Sequence, residues 1–169
     1  NKSMNFKLNI KNIKEIPFNM YENDFIFHLK SKEYKTNRII ADLLSPYVRR
    51  LHYSDKYSNE FYIKIDKSYD QENGDDNDDE EENYFTDFLK LYTFEDITIN
   101  PKRQKYYSKY FLALGNIEEF INLQPDFSTD INEDNVIDKL LFLINISKQQ
   151  DITINIPEML PIQRLINFI

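Results

Sequence analysis

Between residues 23 and 53 the spacing of apolar and polar positions changes period. Phe25, Phe27 and Leu29 alternate with Ile26, His28 and Lys30, the two-residue rhythm of a strand with one face inward. After a short polar turn, Ile39, Ile40, Leu43 and Leu44 form one stripe of an amphipathic helix. Ser45 and Pro46 then end that helix and start another, serine as the cap and proline at the first helical position. The stretch predicts a hairpin feeding two tightly joined helices.

The flanking pattern supplies the other elements. Phe6, Leu8 and Ile10 alternate with Lys7, Asn9 and Lys11, a short N-terminal strand that needs an edge to pair with. Ile13, Ile16, Phe18, Met20 and Tyr21 predict a linker that packs its apolar side chains, and Pro17 keeps it from being one helix. Phe61, Ile63 and Ile65 alternate as a third core strand. Phe85, Phe88, Leu89 and Tyr92 carry helical spacing, and Ile97 and Ile99 predict a brief strand. Asn100 and Pro101 open a helix that Gly115 closes, with Tyr106, Tyr107, Tyr110, Phe111 and Leu114 as its buried face. Asn116 and Glu119 read as a capping box for a helix ending before Pro125. Asp130 and Glu133 read as another, heading a helix with the stripe Ile137, Leu140, Leu141 and Ile144. Ile152, Ile154 and Ile156 alternate again, and residues 160–169 predict a final apolar helix. Residues 96–101 echo 151–157, a weak sign of repetition in so restricted an alphabet.

Charge interrupts this order once. Residues 68–83 pack like charges with few apolar side chains, which predicts a disordered insertion inside a domain. That run carries much of the net charge of -8, a balance that disfavours nucleic acid and anionic lipid as partners. The basic and aromatic stretch 102–110 is the one counter-signal for single-stranded nucleic acid. On a helix, however, its tyrosines and lysines segregate to different faces, so core tyrosines are the stronger reading. The chain has no cysteine, which excludes disulfides, thiolate nucleophiles and cysteine zinc sites and suits cytoplasm or nucleus. No apolar run reaches the roughly 20 residues of a membrane span. Asn1 to Ser3 read as vector-derived sequence ahead of Met4, and the apolar end predicts that the chain continues in a longer protein.

Chemistry is sparse. The 2 histidines, His28 and His52, lie apart and lack a thiol partner, so packed or surface roles outweigh metal binding. Gly74 cannot be the sixth position of a calcium loop, because Tyr69 would have to be the first ligand. Only 2 glycines leave no phosphate-cradling loop, and no nucleophile elbow or kinase signature is present. The expectation is a non-enzyme with no catalytic residues, no metal, no cofactor and no small-molecule substrate.

The order strand, strand, two helices, strand, helix, short strand, helix, helix resembles the BTB/POZ domain, a protein-interaction fold. Residues carry the resemblance too. Asn23, Asp24 and the apolar residues after them are similar to the opening of that family's first core strand. Tyr34, Asn37, Ala41, Ser45, Pro46, Tyr47 and Val48 stand where the family has an aromatic, a His, a Leu and Ser-Pro-Tyr-Phe. Tyr92 and Thr93 match its Tyr-Thr-Gly, with Phe94 in place of the Gly, and residues 112–116 match its penultimate helix joint. Asn37, Ala41, Val48 and Phe94 are departures that leave the apolar stripes intact. They make the chain similar to the divergent BTB-like families of AT-rich protists. The resemblance implies an α+β fold: a small, mainly antiparallel sheet with clustered helices, spanning 21–123 after an N-terminal strand and linker (1–20) and before a helical extension (124–169). It also implies a scaffolding homodimer built through the first helix, with the N-terminal strand either exchanged with the partner or folded back on its own subunit. Carried onto this chain, the interface is Phe6, Leu8, Ile10, Asp24, Asn37 and Arg38. Many family members also serve as substrate adaptors that recruit a cullin of ubiquitin ligases through a hydrophobic-x-Glu element after the third helix. Residues 97–107 contain no such Glu, Phe94 and Glu95 come too early for it, and the helices from Ile131 onward are the alternative surface; Tyr92 and Phe94 are the candidate partner contacts.

Overall fold

The computed structural model describes residues 4–5, 7–65 and 78–124 and the helical positions 137, 140, 141 and 144. The chain divides into two compact units, Asn1–Gly115 and Asn116–Ile169. The first is a mixed α+β unit. Its sheet has three strands, β1 (Phe25–Leu29), β2 (Lys32–Thr36) and β3 (Glu60–Ile63), in the order β2-β1-β3. Two helices, α1 (Arg38–Leu44) and α2 (Pro46–Ser54), connect β2 to β3. Helices α3 (Asp78–Phe88) and α4 (Pro101–Leu114) follow, joined through a 3-10 turn over Leu89–Thr93.

β1 and β2 form the expected hairpin, antiparallel with Phe27 opposite Tyr34 and Leu29 opposite Lys32. Lys30 takes a left-handed φ of 55° in the turn between them. β3 returns parallel to β1, with Phe27 opposite Phe61 and Leu29 opposite Ile63. The sheet is therefore mixed rather than mainly antiparallel: the α1–α2 crossover brings β3 back in the direction of β1. The alternation on β1 holds, since Phe25, Phe27 and Leu29 are all buried.

An aromatic core fills the space between the sheet's inner face and α3 and α4. Phe85 stands between the sheet and α4, with its ring centroid 6.0 Å from Phe27, 4.6 Å from Tyr34 and 5.0 Å from Tyr110. Phe88 meets Tyr107 at 5.4 Å and Phe111 at 5.0 Å. Most of these pairs meet edge to face, which adds about 0.5–1.5 kcal/mol per pair beyond the area they bury. A satellite cluster of Phe18, Ile40 and Leu44, joined by Leu89, Leu91 and Tyr92, seats the Leu89–Thr93 turn on α1.

Several expectations need correction. The alternation of Phe6, Leu8 and Ile10 does not form a strand among the described residues. Leu8 and Asn9 are irregular, and Ile10 opens a 3-10 helix, Ile10–Glu15, whose first turn the Asn9 side chain caps by accepting from the Lys11 N–H. A strand needs a neighbour for its backbone groups, and a local cap satisfies them without one. Of the linker's apolar residues only Phe18 is buried. Ile97 and Ile99 lie in irregular chain. β3 stops at Ile63, so Ile65 is outside it. The helix expected from Phe85 begins at Asp78, inside the acidic run. Acidic residues complement the positive end of a helix dipole and propagate helix well, so a local excess of charge did not prevent it. The rest of that insertion, 68–77, lies outside the described residues. On α1 the buried stripe is Ile40, Ala41 and Leu44, while Ile39 faces outward. On α4 Leu112 and Lys109 are buried beside the expected tyrosines.

The second unit contains α5 (Ile117–Asn122), with Ile117, Phe120 and Ile121 buried. Asn116 precedes it but makes no side-chain cap bond to its first turn, so that half of the expected capping box is not formed. Positions 137, 140, 141 and 144 are helical. The box expected at Asp130 and Glu133, the alternation 152–156 and the helix 160–169 lie outside the described residues.

Candidate functional site

Three of the six residues expected at an interface, Asp24, Asn37 and Arg38, lie together where β1 begins and α1 starts. Asn37, extended and just ahead of α1, accepts the Ile40 N–H through Oδ1 at 2.9 Å, which makes it the helix cap. Its Nδ2 donates to the Phe18 carbonyl at 2.6 Å. Asn37 is only 2% exposed, so within one chain it is a buried tether that holds the N-terminal segment to α1, not a surface contact. Arg38 follows. Its backbone N–H donates to Asp24 Oδ1 at 2.7 Å, and its Nε lies 3.7 Å from Asp24 Oδ2. Its Nη1 donates to the Lys56 carbonyl in the turn after α2. Asp24 and Arg38 are thus brought together, partly exposed, at the foot of the sheet. The chemistry is local: a carboxylate at the first turn of α1 complements that helix's dipole.

Exposed apolar residues lie close to this pair along the chain. Ile39 is 45% exposed on the outer side of α1, and Met20 and Tyr21, just past the segment that Asn37 holds, are also exposed. Leu8 and Ile10 are exposed as well, and Phe6 is outside the described residues. Among the described residues, the side-chain polar partners of Asp24 and Arg38 are each other and the Lys56 carbonyl, and no hydrogen bond links either to Leu8 or Ile10.

The second proposed contact pair divides. Tyr92 is half-buried, its ring edge-on to Phe18 at 5.9 Å. Phe94 is exposed and takes a left-handed φ of 57° at the end of the Leu89–Thr93 turn. That is a conformation a non-glycine residue adopts only at a cost.

The helices around the site are locked by one residue whose role the sequence showed only in part. Ser45 Oγ accepts the Val48 N–H at 3.1 Å as the α2 cap, and it also donates to the Leu114 carbonyl at 2.8 Å. The same hydroxyl therefore starts α2 and ends α4. Gly115 closes α4 with φ 92°, and a Cβ there would lie 2.9 Å from the Tyr47 ring.

The histidines are engaged internally. His28 Nε2 lies 3.0 Å from Glu60 and its Nδ1 3.7 Å from Glu33, and the ring stacks on Tyr62 at 4.2 Å. His52 Nδ1 lies 2.6 Å from Asp42 Oδ1 and its Nε2 2.9 Å from the Ser58 carbonyl. Among the described residues, no group of three or more His, Cys, Asp and Glu side chains is arranged to hold a metal ion. Tyr106, Tyr107 and Tyr110 are buried, and the Lys109 ammonium sits 5.7 Å from the Tyr106 ring. Bases could not stack on those rings. Burial pushes the phenols of Tyr47 and Tyr107 above their ordinary value of 10.0, with Arg50 and Arg103 respectively acting in the opposite sense. No described helix is long and apolar enough to cross a membrane.

No family model matches the chain, and no curated protein and no solved structure matches it either.

Proposed function

We propose that this chain is a BTB/POZ-like interaction module that self-associates through the outer face of α1 and has no enzymatic role. One observation carries the reading. A hairpin is followed by two joined helices and then by a strand that returns parallel to β1 on the side away from β2. The order of these elements agrees with the order strand, strand, two helices, strand implied by the resemblance, while the parallel return of β3 departs from the mainly antiparallel sheet it implied. Two details add support. Asp24 and Arg38 pair beside the exposed Ile39. Phe94, standing where that family has glycine after Tyr-Thr, has the left-handed backbone that a glycine would adopt freely.

Exposed apolar residues beside a charged pair suit an isologous contact, in which each copy offers the same patch. Light scattering over a dilution series tests the reading. The expected result is a dimer mass that falls to the monomer in Ile39→Arg and in Met20→Arg, two exposed positions. A monomer at high micromolar concentration would sink it. Deleting residues 4–10 separately asks whether the N-terminal segment crosses to the partner, in which case the dimer weakens.

A further inference from the structure

The tip of α2 and the turn after it carry an unusual surface. Tyr53 is 91% exposed and Tyr57 77% exposed, although large aromatic side chains elsewhere in this unit are mostly inside. Arg49 and Arg50 precede Tyr53 by four and three positions, the spacing that places side chains side by side on a helix. Lys56 lies next to Tyr57, with its ammonium 5.0 Å from that ring, and the Arg50 guanidinium lies 5.8 Å from the Tyr47 ring.

The acidic side chains nearby are already engaged. Asp42 faces His52, Asp55 Oδ1 accepts the Tyr57 N–H at 3.0 Å, and Asp24 holds Arg38. Among the described residues, Arg50 and Lys56 have rings as neighbours and no carboxylate partner. In a chain of net charge -8 this is a locally basic patch.

The turn that presents it is held from three directions. Arg38 Nη1 donates to the Lys56 carbonyl, His52 Nε2 meets the Ser58 carbonyl, and the Ser58 N–H donates to the Asp55 carbonyl at 3.2 Å. A turn fixed in this way loses little conformational freedom when something binds to it. Tyrosine and arginine side chains on a rigid support are the residue types that carry binding energy in protein contacts.

We infer that Arg50, Tyr53, Lys56 and Tyr57 form a docking site for an acidic segment of a partner protein that carries an aromatic or apolar residue. Its carboxylates meet Arg50 and Lys56, and its apolar residue lies on the tyrosine rings. The site adjoins the proposed self-association face, because Arg38 donates to the Lys56 carbonyl, but Arg38 is not among the docking residues.

The test uses the full chain and fluorescence anisotropy. The probe is a labelled peptide of glutamates interrupted by single phenylalanines. A lysine version of it and an oligothymidylate of similar length are the comparisons. The glutamate peptide is expected to bind at low salt. Arg50→Glu with Lys56→Glu should weaken it at least about tenfold, and Tyr53→Ala with Tyr57→Ala about fivefold. These positions are exposed, so the circular dichroism spectrum and the light-scattering mass should not change. The inference is overturned if the glutamate peptide does not bind, if it binds the charge-reversed chain equally well, or if the lysine version binds as tightly. It is also overturned if the oligothymidylate binds more tightly at the same residues, which makes the patch a nucleic-acid site, or if the variants lower the mass, which makes it a self-association face.

Discussion

Gly115→Ala is expected to destabilise the first unit by about 2–4 kcal/mol, through two separable costs. The backbone cost comes from the φ of 92° at the end of α4. An L-residue pays about 1–2 kcal/mol to hold a left-handed conformation. The steric cost comes from Tyr47. The new Cβ would lie 2.9 Å from both Cδ1 and Cε1 of that ring and 3.1 Å from Cγ, well inside the contact distance of about 3.5–4.0 Å between carbons. Tyr47 is only partly buried, so its ring can move some way, and overpacking of this kind costs about 1–3 kcal/mol. Alanine also restricts the unfolded chain, which returns about 0.4–1 kcal/mol. Urea unfolding followed by circular dichroism, with Tyr47→Ala as the second arm of a double-mutant cycle, separates the terms. Without the ring, the alanine should cost only its backbone share, giving a coupling of about 1–3 kcal/mol. A loss below about 0.5 kcal/mol for Gly115→Ala, or strict additivity of the pair, would refute the packing argument.

Other expectations follow from the same geometry. Ser45→Ala removes the α2 cap and leaves the Leu114 carbonyl without its donor, so it should cost about 2–3 kcal/mol by denaturant unfolding, and Ser45→Thr should recover part of that. Phe94→Gly should leave stability unchanged or raise it by up to about 1 kcal/mol, because relief of the left-handed strain offsets the lost contacts of a half-exposed ring. Phe94→Val should lower it, since a β-branched residue tolerates that backbone least. The phenols of Tyr47 and Tyr107 are raised above 10.0 when folded. Their contribution to stability is therefore complete below pH 10 and is lost as pH rises through the folded values. A tyrosinate absorbance titration should show phenols that ionise late in the folded chain, and their loss on replacing both residues by phenylalanine checks the assignment.

Local signals in the sequence were the dependable ones. Ser45 before Pro46, and Asn100 before Pro101, cap their helices as expected, and Gly115 ends α4 in the left-handed conformation. Each of these depends on a few neighbouring residues and on φ preferences that hold in any context. The period of Phe25, Phe27 and Leu29 was equally legible, because a strand buried on one face must alternate. The candidate site was legible only as separate residues. Asp24 and Arg38 could be named, but Asn37 turned out to be a buried tether. Arg50, Tyr53, Lys56 and Tyr57 were missed, although the Arg-Arg pair ahead of two tyrosines was visible in the chain.

What the sequence alone determined is where α2 begins and where α4 begins and ends, which face of β1 is apolar, and that no cysteine chemistry operates. What only the tertiary structure decided is pairing and phase. Phe6, Leu8 and Ile10 alternate as well as β1 does, yet Leu8 and Ile10 stay outside any strand, since alternation does not supply the neighbouring edge that backbone N–H and C=O groups need. Ile39 and Ala41 are both consistent with a helix stripe. It is Phe18 and the Leu89–Thr93 turn, brought from either side of the chain, that leave Ile39 facing out. Ser45 looks like an ordinary cap until α4 ends beside it and its hydroxyl meets the Leu114 carbonyl. Partners that are distant in sequence leave no mark at the position they contact, and those contacts fix the surfaces this protein can offer.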